Sequence, residues 1–174
     1  MIRKAVQEDL NIVEEIYNEI LENEEKTTSY TNWQKGLYPT ITTAKNALEA
    51  GTLFVGEEED KTLYGCVILN HIQPKEYENI PWSIENVKEK DVLVIHTLCI
   101  RPGNAGQGKG HEFVDFAEKY GKEIDCKVIR LDTYEKNKPA AMLYSKLGYT
   151  FVGSLLFHFE NVIWEKLICF EKSI

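Results

Sequence analysis

Three alternating glycines, Gly106, Gly108 and Gly110, lie in the segment RPGNAGQGKG, directly after the apolar run VLVIHTLCI at 92–100. Glycine permits positive φ and close backbone approach, and the first amides of a helix are unpaired donors at the positive end of its dipole. Such a loop can wrap a pyrophosphate with main-chain N–H groups. A tight turn without a ligand is the plainer reading, but a turn requires fewer glycines. Downstream, Asn137 and Tyr144 are seven residues apart. On a helix they lie two turns apart on nearly one face, roughly 10 Å along the axis, and could both address one extended ligand. Asn137 also reads as a plain N-cap, and Tyr144 as a core aromatic in a stripe with Ala140 and Leu147.

The same loop spells GxxxxGK from Gly103 to Lys109, and VIRLD ending at Asp132 imitates the apolar run plus Asp that helps to hold magnesium. Against a P-loop-like nucleotide-binding protein stands Gly110, where Ser or Thr must ligate the metal. Only 64 of the 174 residues follow it, too few for the further βα units of that fold. Cys66, Cys99, Cys126 and Cys169 stand far apart in apolar runs without a CxxC pair and read as reduced core residues. His71, His96, His111 and His158 form no ligand cluster, so no metal is expected. A net charge of −8 disfavours a nucleic-acid partner. The chain carries no apolar run of the roughly 20 residues needed to cross a bilayer and no signal-like N-terminus, so no membrane partner is expected and the expected location is the cytoplasm.

The elements that must position these residues follow from periodicity. A short strand at 2–6 precedes Asp9, a suitable N-cap for a helix with Leu10, Val13, Ile16, Tyr17, Ile20 and Leu21 on one face. Residues 26–41 read as a loop, and 43–50 as a short helix stopped by Gly51. Strands at 52–56 and 63–70, joined by a charged turn, predict an antiparallel hairpin. The stretch 71–90, with Pro74, Tyr77, Pro81 and Trp82, is long for a structureless connection. The strand 92–100, glycine loop, helix and strand 127–134 form one unit. A helix starts at Asn137 and Pro139 and ends at Gly148, and two strands at 149–156 and 162–170 close the chain. The predicted order is β-α-α-β-β-β-α-β-α-β-β, an α/β fold in a single domain over 1–174 with a mixed central sheet of about seven strands and helices on both faces.

Over nearly the whole chain in element order, and most strongly from Val94 to Tyr149, the chain resembles the GNAT superfamily of acyl-CoA-dependent N-acetyltransferases. The family's loop, Arg or Gln, x, x, Gly, x, Gly or Ala, falls on Ala105, Gly106, Gln107, Gly108, Lys109 and Gly110. Its helix signature falls on Asn137, Ala140, Tyr144, Gly148 and Tyr149. The departure is Ala105 in place of Arg or Gln. It leaves the backbone amides untouched, with Arg101, Gln107 and Lys109 nearby as substitutes. The resemblance implies acetyl-CoA (coenzyme A) as cosubstrate. Its pantetheine arm would run between strands 92–100 and 127–133 against Leu98, Cys99 and Ile100, and its pyrophosphate would lie on the amides from Gly106 to His111, with Asn137 addressing the same ligand.

The implied reaction, acetyl or longer acyl transfer to a primary amine by direct attack, must deprotonate an ammonium, stabilise an oxyanion and expel a thiolate. Tyr144 would meet the last need. With reference pKa values of about 10 for Tyr and about 8.5 for a thiol, complete proton transfer is uphill by about 2 kcal/mol, so hydrogen bonding to the forming thiolate matters more. For the base, His96 shares a strand face with Leu98 and Ile100 if alternation is strict, and it titrates near neutrality; water is the alternative. A catalytically silent CoA-binding regulator remains a second reading, one that has no need of Tyr144.

The amine acceptor, a small molecule or a protein, would meet the segments 26–42 and 71–90. Their aromatics Tyr30, Trp33, Tyr38, Tyr77 and Trp82 suit a pocket for a cation. Trp82 and its neighbours burying a homodimer interface is the competing reading. Eight carboxylates from Glu8 to Glu25, without Lys or Arg, are either a solvated helix face or a surface that attracts a cationic acceptor.

Overall fold

The computed structural model describes residues 1–159 and 162–174. Its elements are β1 (Ile2–Lys4), α1 (Leu10–Lys26), α2 (Ile41–Glu49), β2 (Leu53–Glu57), β3 (Leu63–Asn70), β4 (Val92–Ile100), α3 (Lys109–Glu123), β5 (Val128–Tyr134), α4 (Lys138–Lys146), β6 (Thr150–Phe159) and β7 (Ile163–Ser173). The order is the one the periodicities predict. Boundaries move by one to three residues, as helix ends fray and strands outrun their apolar stretch. The seven strands form one mixed sheet in the order β1-β2-β3-β4-β5-β7-β6. β2 and β3 make the expected antiparallel hairpin. The parallel pairing of β4 with β5 runs from Val92 opposite Val128 to Ile95 opposite Leu131, and residues 96–100 continue β4 beyond it.

Contacts group the chain into two compact units, one of residues 1–29, 33–69 and 96–116, the other of residues 30–32, 70–95 and 117–174. In the first, the apolar stripe of α1 (Leu10, Val13, Ile16, Tyr17) packs with Ala44 and Ala47 of α2 and with Leu53, Val55, Leu63, Cys66, Ile68 and Cys99 of the strands. Asp9 precedes α1 but does not cap it through its side chain. A turn of 3₁₀ helix over Gln7–Asp9 directs its carboxylate back to the Val6 amide at 2.8 Å and to Arg3 at 2.8 Å. In the second unit, Tyr77, Ile80, Val92, Val94, Val128 and Cys169 make a core over which Trp82, Ile84 and Val87 lie, so the long 71–90 connection is packed on strands. All four cysteines are free and buried. Among the described residues no helix is long and apolar enough to cross a membrane, and no group of His, Cys, Asp and Glu is placed to hold a metal.

Candidate active site

The glycine loop lies in the first unit, between β4 and α3. A turn of 3₁₀ helix over Pro102–Asn104 is closed by the amides of Asn104 and Ala105. Gly106 and Gly108 then take positive φ, +73° and +81°, with open space where a Cβ would stand. Among the described residues, backbone pairing resumes only at Glu112, whose amide donates to the Gly108 carbonyl at 3.1 Å. The amides from Gly106 to His111 thus form a row of unpaired donors at the start of a 15-residue helix, the arrangement that binds phosphate oxygens.

The cationic side chains nearby are committed elsewhere. The Lys109 ammonium contacts Glu58 at 2.9 Å and Glu112 at 3.4 Å and lies 4.3 Å above the Tyr64 ring. Arg101 donates to the Leu63 carbonyl at 2.7 Å and pairs with Glu19 and Glu15 of α1. The Gln107 side chain donates to the Gly103 carbonyl at 2.9 Å, and His111 faces Asp115 at 3.4 Å. Arg101, Gln107 and Lys109, expected as substitutes for the side chain missing at Ala105, are each bonded to other groups of the chain.

In β4 the predicted strict alternation fails. Thr97 has φ +48°, a left-handed conformation rare for a β-branched residue. Leu93 lies next to Gly121 of α3, and Ile100 shares with Phe113 of α3 the space above Gly65. Residues an odd number apart cannot both face one helix from a regular strand, so β4 holds one extra residue, a bulge at Thr97. Counting from either end puts His96 on the face turned away from α3, opposite Leu98 and Ile100. The ground on which the sequence associated them is lost. The Thr97 hydroxyl is hydrogen-bonded to the Tyr38 hydroxyl, and Trp33 meets the Tyr38 ring edge-on with centroids 5.7 Å apart. Cys99 is buried against α1, with its thiol pushed well up, first by burial.

The second unit carries the helix signature. Asn137 caps α4, its side chain accepting the Ala140 amide at 3.2 Å, with Pro139 in the first turn. Tyr144 is 5% exposed, packed against the rings of Tyr149 and Phe170. Among the described residues its hydroxyl has no hydrogen-bond partner. Burial first, then the charge of Asp132, raises its pKa, so Tyr144 keeps its proton and is a donor at neutral pH.

The family model for the GNAT acetyltransferases matches residues 11–149. The chain belongs to the GNAT acetyltransferase family. Over 104 residues it is 30% identical to a streptothricin acetyltransferase of Escherichia coli, covering 60% of this chain and 56% of that protein. An uncharacterized N-acetyltransferase, YesJ of Bacillus subtilis, is 25% identical over 62% of the chain and 58% of its own length. The matched part is thus less than two thirds of either relative. Among solved structures, a GNAT-family acetyltransferase of Streptococcus agalactiae superposes with a TM-score of 0.84 at 21% identity, covering 100% of this chain and 95% of that one. The yncA protein of Salmonella typhimurium, solved with acetyl-CoA, superposes with a TM-score of 0.72 at 16% identity, over 99% and 92% of the two chains. These two likenesses establish the fold.

In this GNAT chain the loop aromatics are spent largely on its own packing. The half-buried Trp82 donates its indole N–H to the Tyr77 carbonyl at 2.9 Å, and its ring covers the Arg130 guanidinium at 4.2 Å. Arg130 in turn donates to Gln73 at 2.9 Å, to the Ile84 carbonyl at 3.0 Å and to Glu171 at 3.4 Å. Glu171, 1% exposed, also accepts from the amides of Ser83 and Ile84. A cavity of about 360 Å³ remains beside this cluster, lined by Gln73, Tyr77, Trp82 and Arg130 among others. The acidic stretch from Glu8 to Glu25 is partly neutralised by Arg3, Lys35 and Arg101. Residues the sequence did not put forward are Thr97, Arg130, Glu165 and Glu171; Asp132 drew notice only as part of a rejected nucleotide motif.

Proposed function

We propose that the chain is one N-acetyltransferase domain that transfers an acetyl group from acetyl-CoA to a primary amine by direct attack. The amides from Gly106 to His111 hold the pyrophosphate, residues Leu98 to Ile100 lie along the pantetheine arm, and Tyr144 donates a hydrogen bond to the departing thiolate. The observation that carries this reading is the unpaired amide row at the start of α3, which suits a pyrophosphate without any side-chain cation. The unpartnered Tyr144 hydroxyl supports a catalytic role over a purely regulatory one. The likeness to a streptothricin acetyltransferase favours a small-molecule acceptor.

A thermal melt tests the cosubstrate. At about 100 times Kd, acetyl-CoA stabilises by about 2.7 kcal/mol, a rise on the order of 5 to 10 °C for this size. ATP with Mg²⁺ is expected to do much less, and the reverse ranking overturns the assignment. Thiol release across an amine panel then identifies the acceptor.

A further inference from the structure

The chain treats its half-buried and buried carboxylates in two ways. Asp9 and Glu57 are paired with Arg3, at 2.8 Å each, and Glu171 with Arg130. Asp132 on β5 and Glu165 on β7 are held by neutral groups instead. Tyr77 donates its hydroxyl to Asp132 Oδ2 at 2.7 Å, and Asn32 its amide to Glu165 Oε2 at 3.1 Å. Among the described residues the other oxygen of each carboxylate has no donor, and neither carboxylate has a cationic partner. Both residues keep part of their surface accessible. Resting on the acetyl transfer proposed above, we propose that Asp132 receives the acceptor's ammonium and takes a proton from it at Oδ1, with Tyr77 fixing the carboxylate and Glu165 as a second anionic contact that favours diamines.

Three observations converge on this. Paired β5–β7 residues share a sheet face, and Asp132 stands opposite Cys169, four residues from Glu165, so both carboxylates belong to one face. The charge of Asp132 acts on Glu165 and on Tyr144, so the carboxylates and the unpartnered phenol, 5% exposed, lie within electrostatic reach of one another. The groups whose hydrogen bond or charge reaches Asp132 or is reached by it are Tyr77 and Glu76 from the 71–90 connection, Tyr144 from α4, and Glu165 and Cys169 from β7. Arg130, two residues earlier on the same face of β5, is a nearby cation, and it is bonded to Glu171, Gln73 and the Ile84 carbonyl, so an arriving ammonium meets a carboxylate with no ion pair of its own among the described residues. Burial is the main cause that raises the Asp132 pKa, opposed by the Tyr77 hydrogen bond, which brings it nearer to that of a useful base. In the balance, the ammonium gives one proton to Asp132, its nitrogen forms the C–N bond as the C–S bond breaks, and the second nitrogen proton offsets the one gained by the departing thiolate. Asp132 then releases its proton to solvent.

The test uses the whole chain with L-lysine, 1,4-diaminobutane and a monoamine. Asp132→Asn still accepts the Tyr77 hydrogen bond. It is expected to lower kcat by roughly 10² and to remove the acid-side limb of the kcat/KM profile, with acetyl-CoA Kd unchanged. Glu165→Gln is expected to raise KM for the diamine by about tenfold more than KM for the monoamine. Calorimetric binding of 1,4-diaminobutane, lost in Asp132→Asn, is the readout independent of turnover. If no amine is acetylated but this binding difference is present, the transferase reading fails and the ammonium site stands. Diamine binding equal in wild type and Asp132→Asn, or an acid-side limb lost in His96→Gln and retained in Asp132→Asn, overturns the proposal.

Discussion

A carboxyl group held above its ordinary titration range works against folding at neutral pH. Asp132 is such a group, through burial first. For an acid with a raised folded pKa, the native state binds the proton more tightly than the unfolded chain does. Its contribution is therefore most favourable below the unfolded value of about 4 and becomes a penalty as pH rises through the folded value. Asp132→Asn, expected to be nearly inactive, should accordingly melt no lower than wild type at pH 7, and the difference should shrink toward pH 4. A lower melting temperature across that range means that the carboxylate is a structural anchor. Tyr144 makes a companion case. Among the described residues its hydroxyl has no hydrogen-bond partner, so Tyr144→Phe should leave the melting temperature within a degree or two and acetyl-CoA affinity intact, while kcat falls by roughly 10². Turnover equal to wild type removes Tyr144 from the chemistry.

Among the elements, the contrast lies between what periodicity dictates and what a single backbone angle decides. The stripe from Leu10 to Leu21, the hairpin flanking Glu57–Lys61 and the Asn137–Pro139 helix start were legible because each expresses a repeat or a cap that few other structures satisfy. The bulge at Thr97 was not, since a β-branched residue with φ +48° carries no local signal and is held there by its surroundings. That one inserted residue separates His96 from Leu98. The contacts of Trp82 were not legible for a related reason: Arg130 and Glu171, on which it rests, are distant in sequence. In the glycine loop the positive-φ backbone was legible from the glycines, whereas the pairing of Lys109 and Arg101 was not, because Glu58 and Glu19, which bind them, come from other elements. The 71–90 connection is fastened to β5 and β7 through Arg130. Truncating one member of a buried ion pair leaves the other uncompensated, so Arg130→Ala is expected to destabilise by about 3 kcal/mol and to open residues 71–90 to proteolysis. Loss of stability without new cleavage in that stretch would show that the fastening lies elsewhere.

For the molecule as a whole, the balance of charge makes opposite demands on the two ligands proposed for it. The net charge is −8, yet acetyl-CoA is itself a polyanion. With Lys109 and Arg101 bound by glutamates, the pyrophosphate is left to main-chain dipoles, which act at contact distance and are little screened. A cationic acceptor experiences the reverse: the summed field of an acidic protein attracts it over distances up to the Debye length, about 10 Å at 0.1 M salt, toward the proposed contacts Asp132 and Glu165, which have no ion pair among the described residues. Salt should therefore separate the two ligands. Between 0.05 and 0.5 M NaCl the acetyl-CoA Kd, measured by calorimetry, is expected to change by less than about threefold, or to tighten as repulsion is screened. Over the same range KM for 1,4-diaminobutane should rise on the order of tenfold, with a smaller rise for a monoamine. Lys109→Ala provides the internal control, since it should leave the shallow acetyl-CoA slope unaltered. A steep loss of acetyl-CoA affinity with salt, abolished by Lys109→Ala, would instead mean that the lysine leaves Glu58 for the phosphate when the cosubstrate binds.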